Sequence, residues 1–334
     1  MILQMQQILK SDKQLNFLLA FNFLAVILAT IYSKGVFLEL DNLQSMAGQL
    51  PELGLLAIGV GLAMIAGNGG IDLSVVAIAN LAGIVAGRVA GLMYSIDAEP
   101  MQHAITFIGV ATTTGLICGL INGGLVAYAR LTPILSTLGT QLLFTGIAVV
   151  ITNGSAYRLG FSEEMSYLGT GVIWNIPVPF IVFVVVLALV GLVLKKSIFG
   201  VQLFLVGTNQ KAADYAGIPR AKILLTTYAI SGLVAAIAGI LIASRTASVK
   251  WDYGSSYLLI AILIAVMAGI KPDGGYGRMV CLLFSTIALQ IISSSFNLFD
   301  ISSFFRDCAW GLMLLLFLYT SKDGLWTSFT KKKF

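Results

Sequence analysis

The stretch Pro177-Val178-Pro179-Phe180-Ile181-Val182-Phe183-Val184-Val185-Val186-Leu187-Ala188-Leu189-Val190-Gly191-Leu192-Val193-Leu194 runs for 18 residues without one charged side chain, and Lys195-Lys196 follow it directly. About 20 predominantly apolar residues in a helix cross the roughly 30 Å of hydrocarbon in a bilayer. With no water in that layer, each backbone N–H and C=O must be bonded inside the segment, which selects a helix. A strand of a membrane barrel would alternate apolar and polar residues, and this stretch does not.

Similar blocks lie on both sides of it. They are Asn16–Ser33, Leu53–Gly67, Leu73–Met93, Ala104–Ala129, Pro133–Ile151, Ile223–Ser244, Tyr257–Ile270, Met279–Phe296 and Phe304–Thr320. Hydrophobic residues make up 58% of the chain and charged residues 10%, against about 25% charged in a soluble domain. There is too little polar sequence to surface a soluble fold of this length. The expected fold class is an all-α integral membrane protein of about ten spanning helices, forming one domain over residues 1–334. The first block is followed by no small-residue cleavage pattern and reads as a retained anchor. Leu38–Leu50 reads as a loop.

Net charge is +5, and it divides by side. With the N-terminus placed in the cytoplasm, 14 of the 20 basic residues fall in inside segments, among them Lys10, Lys13, Arg130, Lys195, Lys196, Lys211, Lys271 and Lys331 to Lys333. Acidic residues lean outward. This positive-inside pattern predicts both termini in the cytoplasm and an even number of spans. Cys118, Cys281 and Cys308 have no metal-site spacing and read as small apolar residues. His103 reads as an interfacial residue, and Trp174, Trp251 and Trp310 as interfacial anchors. Arg88, Arg158, Arg245 and Arg306 read as solvated charges on the outer face.

Two irregular stretches carry the functional expectations. Ala66-Gly67-Asn68-Gly69-Gly70-Ile71-Asp72-Leu73-Ser74 joins the second and third blocks. It is either a tight turn or a helix break inside the membrane, where transporters place binding sites. Asp72 is positioned to accept N–H groups at the start of the next helix. Lys195–Lys222 is the longest cytoplasmic stretch. Within it Asn209–Tyr215 forms a short helix capped by Thr208 or Asn209 and ended by Gly217, with Pro219 preventing continuation. Ala212, Ala213 and Ala216 give that helix a smooth side.

The run Gly69-Gly70-Ile71-Asp72-Leu73-Ser74-Val75 resembles the signature of ribose-type sugar importer permeases of the ATP-binding-cassette superfamily. Asn122-Gly123-Gly124-Leu125-Val126-Ala127, Thr132-Pro133-Ile134, Ser136-Thr137-Leu138-Gly139-Thr140 and Thr152-Asn153-Gly154 follow in the family's order. So do Gly207-Thr208-Asn209, Ala212-Ala213, Gly217-Ile218 and Tyr228-Ala229-Ile230-Ser231-Gly232-Leu233. The similarity spans Leu53 to Thr320, with Val76 and Ala268 standing where the family usually has glycine.

This resemblance implies one permease subunit, paired with a second copy or a paralogue. An extracytoplasmic sugar-binding protein delivers the substrate, and a cytoplasmic ATP-binding subunit supplies energy. The resemblance makes Lys195–Lys222 the coupling segment, with Gly207, Asn209, Ala212, Ala213, Gly217 and Ile218 as its docking residues. The chain has no Gly-x-x-x-x-Gly-Lys-Ser/Thr phosphate loop, so ATP would be used by the partner and no cofactor bound here. Sugars are neutral and rich in hydroxyls. Modest polar groups within the apolar blocks would serve them: Asn68, Asp72, Ser74, Asn122, Thr137 and Thr140. Nucleosides or a furanone-type signal are the alternative cargoes. An ion-coupled carrier would need several embedded carboxylates, and no paired His, Cys or Asp constellation points to an enzyme.

Overall fold

A computed structural model describes residues 13–160 and 162–322. Lys10 and Lys331 to Lys333 therefore lie outside the described residues. The helices are α1 (Lys13–Tyr32), α2 (Leu40–Ile65), α3 (Val75–Met93), α4 (Pro100–Ala127), α5 (Pro133–Thr152), α6 (Glu163–Thr170), α7 (Val178–Lys196), α8 (Ile198–Thr208), α9 (Gln210–Tyr215), α10 (Arg220–Thr246), α11 (Tyr257–Met267), α12 (Met279–Leu298) and α13 (Ser303–Lys322). Two antiparallel two-residue pairs complete the chain. β1 (Tyr157–Arg158) pairs with β4 (Ser248–Val249), and β2 (Val172–Ile173) with β3 (Ile176–Pro177). Among the described residues, 8 helices are long and apolar enough to cross a membrane. The chain is a multi-pass, all-α membrane protein, and α11 and α13 coincide with the other two apolar blocks.

α2, α3 and α10 form the buried centre, with α4 packed along α10. Glycine makes this approach possible. A Cβ on Gly115 would lie 2.5 Å from the Gly232 carbonyl oxygen, and one on Gly119 would lie 2.3 Å from that of Tyr228. Backbones in contact at such distances replace side-chain interdigitation, as small residues do between membrane helices.

The expected loop at Leu38–Leu50 is a correction: the chain is helical from Leu40, straight through Pro51. Polar residues and a proline argued against a helix there. Tertiary packing overrides both. The Asn42 amide donates to the Phe37 carbonyl at 2.7 Å, and its oxygen accepts from Ser294 on α12 at 3.0 Å. Phe37 and Leu50 are buried at 1% and 4% exposure.

α11 is the exceptional element. Its 11 residues rise about 16 Å, half a bilayer. The irregular segment before it, 250–256, dips between the helices. The Asn80 amide on α3 donates to the Trp251 and Tyr253 carbonyls at 3.0 and 2.9 Å, so backbone at membrane depth finds its partners in protein. Arg88, eight residues further along α3, donates to the Ile151 carbonyl at the end of α5 at 3.1 Å. The tip of the segment thus lies about 12 Å below that level.

Candidate functional site

The 66–74 junction between α2 and α3 is built from glycine and one carboxylate. Asn68 adopts φ 60°, and Gly67 and Gly69 adopt 81° and 67°, so the chain reverses within three left-handed residues. Beyond the reversal, Asp72 gathers hydroxyls. Its Oδ1 accepts from the Ser74 N–H at 3.0 Å and the Ser74 hydroxyl at 2.7 Å, and its Oδ2 accepts from Ser231 of α10 at 2.9 Å. The Asn122 amide of α4 donates to Ser74 Oγ at 2.7 Å. Thr137 Oγ1 of α5 accepts from the Leu73 N–H at 3.1 Å and lies 3.0 Å from the Ile71 carbonyl oxygen.

One carboxylate thus joins the junction directly to α10, through Ser74 to α4, and by its neighbours to α5. Asn122 lies five residues before the end of α4 and Ser231 eleven after the start of α10. At 1.5 Å per residue the knot sits about 7 Å in from one helix end and about 16 Å from the other, between the membrane edge and its middle.

The knot is closed. Asp72, Ser74, Asn122 and Thr137 are each 0% exposed and Thr140 is 3% exposed. Thr140 bonds only to the Thr137 carbonyl, at 3.2 Å, within its own helix. The expectation that these five line a path for substrate does not fit this conformation, because no face of any of them is open. Asn68 alone of the six is exposed. Ser231, which the sequence placed in the Tyr228–Leu233 run but not among the pathway residues, completes the carboxylate's shell; one hydroxyl in an apolar helix does not show which carboxylate it meets.

The 195–222 stretch holds a helical pair. Ser197 caps α8, accepting from the Gly200 N–H at 3.1 Å, and Asn209 caps α9, accepting from the Ala212 N–H at 3.0 Å. Gly217 at φ 74° ends α9, and Arg220 pairs with Asp214 at 3.3 Å. α9 packs on α8 and the start of α10, leaving Lys211, Ala212, Tyr215 and Ala216 exposed. Tyr215, at 94% exposure, is the most prominent of them and was missed because an aromatic beside a cap carries no pattern.

Ala213 and Gly207 correct the expected docking face. Ala213 is 3% exposed and points into the protein. Gly207 is buried against two other segments: a Cβ on it would lie 2.0 Å from the Ile65 carbonyl oxygen and 2.5 Å from the Gly275 nitrogen. Gly275 donates its N–H to that same Ile65 oxygen at 3.0 Å. The end of α8, the end of α2 and the α11–α12 loop therefore meet backbone to backbone, directly before α9.

A third polar cluster sits around α11. Glu52 of α2 is 2% exposed and accepts from the Arg245 guanidinium at 2.6 Å. Arg245 also donates to the Tyr253 hydroxyl at 3.1 Å, and Tyr253 packs edge-on against Tyr257. Arg88 stacks over Tyr157, 4.5 Å from the ring centre. Neither arginine is the solvated loop charge expected. His103, expected at an interface, is buried in the first turn of α4. Among the described residues no group of three or more metal-ligating side chains occurs.

Comparison with known proteins accounts for this architecture. Residues 42–319 match the family described as branched-chain amino acid transport system / permease component. The chain is 32% identical to the ribose import permease protein of Bacillus subtilis strain 168 over 88% of each chain. It is 30% identical to an autoinducer 2 import system permease protein of Yersinia enterocolitica, over 76% of each. A solved inward-facing structure of a metal-chelate type ABC transporter aligns with TM-score 0.51 over 91% of this chain and 99% of that one, at 15% identity, which is a likeness of fold.

Proposed function

The chain belongs to the branched-chain amino acid transport system / permease component family, and from that premise we propose that it is the membrane-spanning subunit of an ATP-binding-cassette importer for a small, ribose-like sugar. The observation carrying this reading is the likeness to a ribose import permease along 88% of the chain. The chain itself performs no catalysis and binds no cofactor; a separate cytoplasmic subunit hydrolyses ATP. An extracytoplasmic binding protein delivers the sugar, and a second permease copy or paralogue completes the pathway. Both termini face the cytoplasm, as the excess of basic residues at the α9 end of the bundle supports.

α9 is the peg for the ATP-binding subunit. Ala212 and Tyr215 supply its outer face, while Asn209, Gly217 and Ile218 shape it, and Gly207 and Ala213 fix it from below. The Asp72 knot holds the 66–74 junction on α4, α5 and α10, and Asn68, exposed beside it, is the pathway-facing polar group. Amino-acid cargo would need fixed charges for both ends of a zwitterion, and the buried ion pair Arg245–Glu52 is already satisfied internally. The autoinducer 2 relative supports a second reading, a furanone-type signal as cargo.

The test is substrate-stimulated ATP hydrolysis by the reconstituted complex, with binding protein loaded from a panel of pentoses, nucleosides and a furanone signal. Stimulation by a pentose, abolished by Ala212→Arg, is the expected result. Stimulation by the furanone alone would replace the cargo. Transport driven by an ion gradient, with no ATP-binding subunit, would refute the reading.

A further inference from the structure

The segment between α10 and α11 carries ionised groups where lipid would be ruinous to them. Lys250 and Asp252 pair at 3.0 Å with side chains 46% and 33% exposed, on a stretch whose carbonyls reach Asn80 at 2.9–3.0 Å. A charge at the centre of a bilayer costs about 3 kcal/mol or more, so this exposed surface faces water. Asp252 Oδ1 is buried and has no hydrogen-bond partner. Trp251, Tyr253 and Tyr257 are half-buried around it. The indole N–H of Trp251 is held by the Gly154 carbonyl at 3.1 Å and the Tyr253 hydroxyl by Arg245 at 3.1 Å. The rings are thus fixed by their polar atoms. α11 begins at Tyr257 with no side-chain cap and no acid in its first turn. Its first N–H is taken by the Gly254 carbonyl at 2.8 Å, so the start of α11 is tied to the turn before it and the side chains of that turn are what the segment offers to cargo.

We propose that the re-entrant segment 247–256 and the first turn of α11 form a water-lined contact site for a neutral polyhydroxylated substrate. Trp251, Tyr253 and Tyr257 offer ring faces to its C–H surface. Asp252, whose side chain is 33% exposed, bonds its hydroxyls. The site deepens the importer reading and rests on it. It also assigns α11 a role that its length otherwise leaves unexplained: a helix too short to span the bilayer ends where the cargo passes.

The test uses the reconstituted complex with Cys118, Cys281 and Cys308 replaced by Ser. A membrane-impermeant maleimide applied from the binding-protein side labels Asp252→Cys at least about tenfold faster than Leu142→Cys on the lipid-facing side of α5, and D-ribose turnover slows that labelling. In the otherwise unaltered chain, Trp251→Ala lowers D-ribose uptake about threefold to tenfold, the worth of one aromatic contact, while basal ATP hydrolysis and binding-protein affinity stay constant. Hydroxyl-radical footprinting of the unsubstituted complex gives an independent reading, with Trp251, Tyr253 and Tyr257 oxidised and buried Trp310 spared. Equal labelling of Asp252→Cys and Leu142→Cys, absence of oxidation at the three aromatics, or unchanged uptake by Trp251→Ala would each overturn the proposal. A wild-type complex that imports no sugar at all would instead overturn the importer reading.

Discussion

Asp72 shows how much one residue can organise. Its two oxygens accept three bonds from Ser74 and Ser231, with no cation beside them among the described contacts. Removing the acceptor orphans buried donors, each costing about 1–3 kcal/mol. Asp72→Ala is therefore expected to destabilise the protein by about 3 kcal/mol or more, and Ser231→Ala by about 1 kcal/mol, read as the ordering of their thermal unfolding midpoints in one detergent. Equal midpoints for wild type and Asp72→Ala would show that the knot does not matter to stability.

Glu52 makes a sharper case. Its carboxylate is buried while Arg245 is 28% exposed, so truncating the acid strands a cation that can still reach some water. Breaking a buried pair costs about 3–5 kcal/mol. Glu52→Ala is expected near the lower end of that range, and Arg245→Ala, which strands the fully buried partner, nearer the upper. The ratio of monodisperse to aggregated protein after mild heating ranks the two variants.

At the scale of elements, glycine decides which helices may touch. Gly207→Ala has no room, because its Cβ would collide with the Ile65 carbonyl and with Gly275. Gly139→Ala on α5 meets open space within 4 Å and should gain about 0.5–1 kcal/mol of helix propensity. The expected result is a folded, active Gly139→Ala and a Gly207→Ala that either loses thermal stability or binds the ATP-binding subunit without stimulated hydrolysis. A Gly207→Ala indistinguishable from wild type would contradict the close backbone joint beneath α9.

Much of this was legible. Ten apolar blocks, the α9 helix and its Asn209 cap follow from hydropathy and cap chemistry, because lipid leaves the backbone no alternative to a helix. The 40–50 stretch did not follow, since its helix depends on Asn42 meeting Ser294 across 252 positions. Tyr257–Ile270 read as one more span, so neither the half-length of α11 nor the re-entrant turn before it followed. Its Trp251 and Tyr253 carbonyls accept from Asn80, and no local pattern couples position 80 to position 251. Ala213 read as outward because periodicity over six residues cannot tell which side of a short helix meets the bundle.

Taken whole, the molecule separates tasks by depth. Aromatic and ionised groups gather around the half-helix α11, a closed hydroxyl knot pins the α2–α3 junction below it, and a capped two-turn helix projects beyond the bundle at the basic end. These three levels are joined by backbone contact at Ile65, Gly207 and Gly275 and by α10, which carries Arg245 at one end and Ser231 nearer the other. That arrangement suits a subunit that borrows its energy at one face and meets cargo toward the other. The most direct check is ATP-dependent uptake of labelled D-ribose into proteoliposomes holding this chain, its ATP-binding subunit and the loaded binding protein. The expected result is uptake that needs ATP and binding protein together and disappears with Ala212→Arg while the chain remains folded. Uptake that continues without ATP, or that follows an imposed ion gradient, would contradict it.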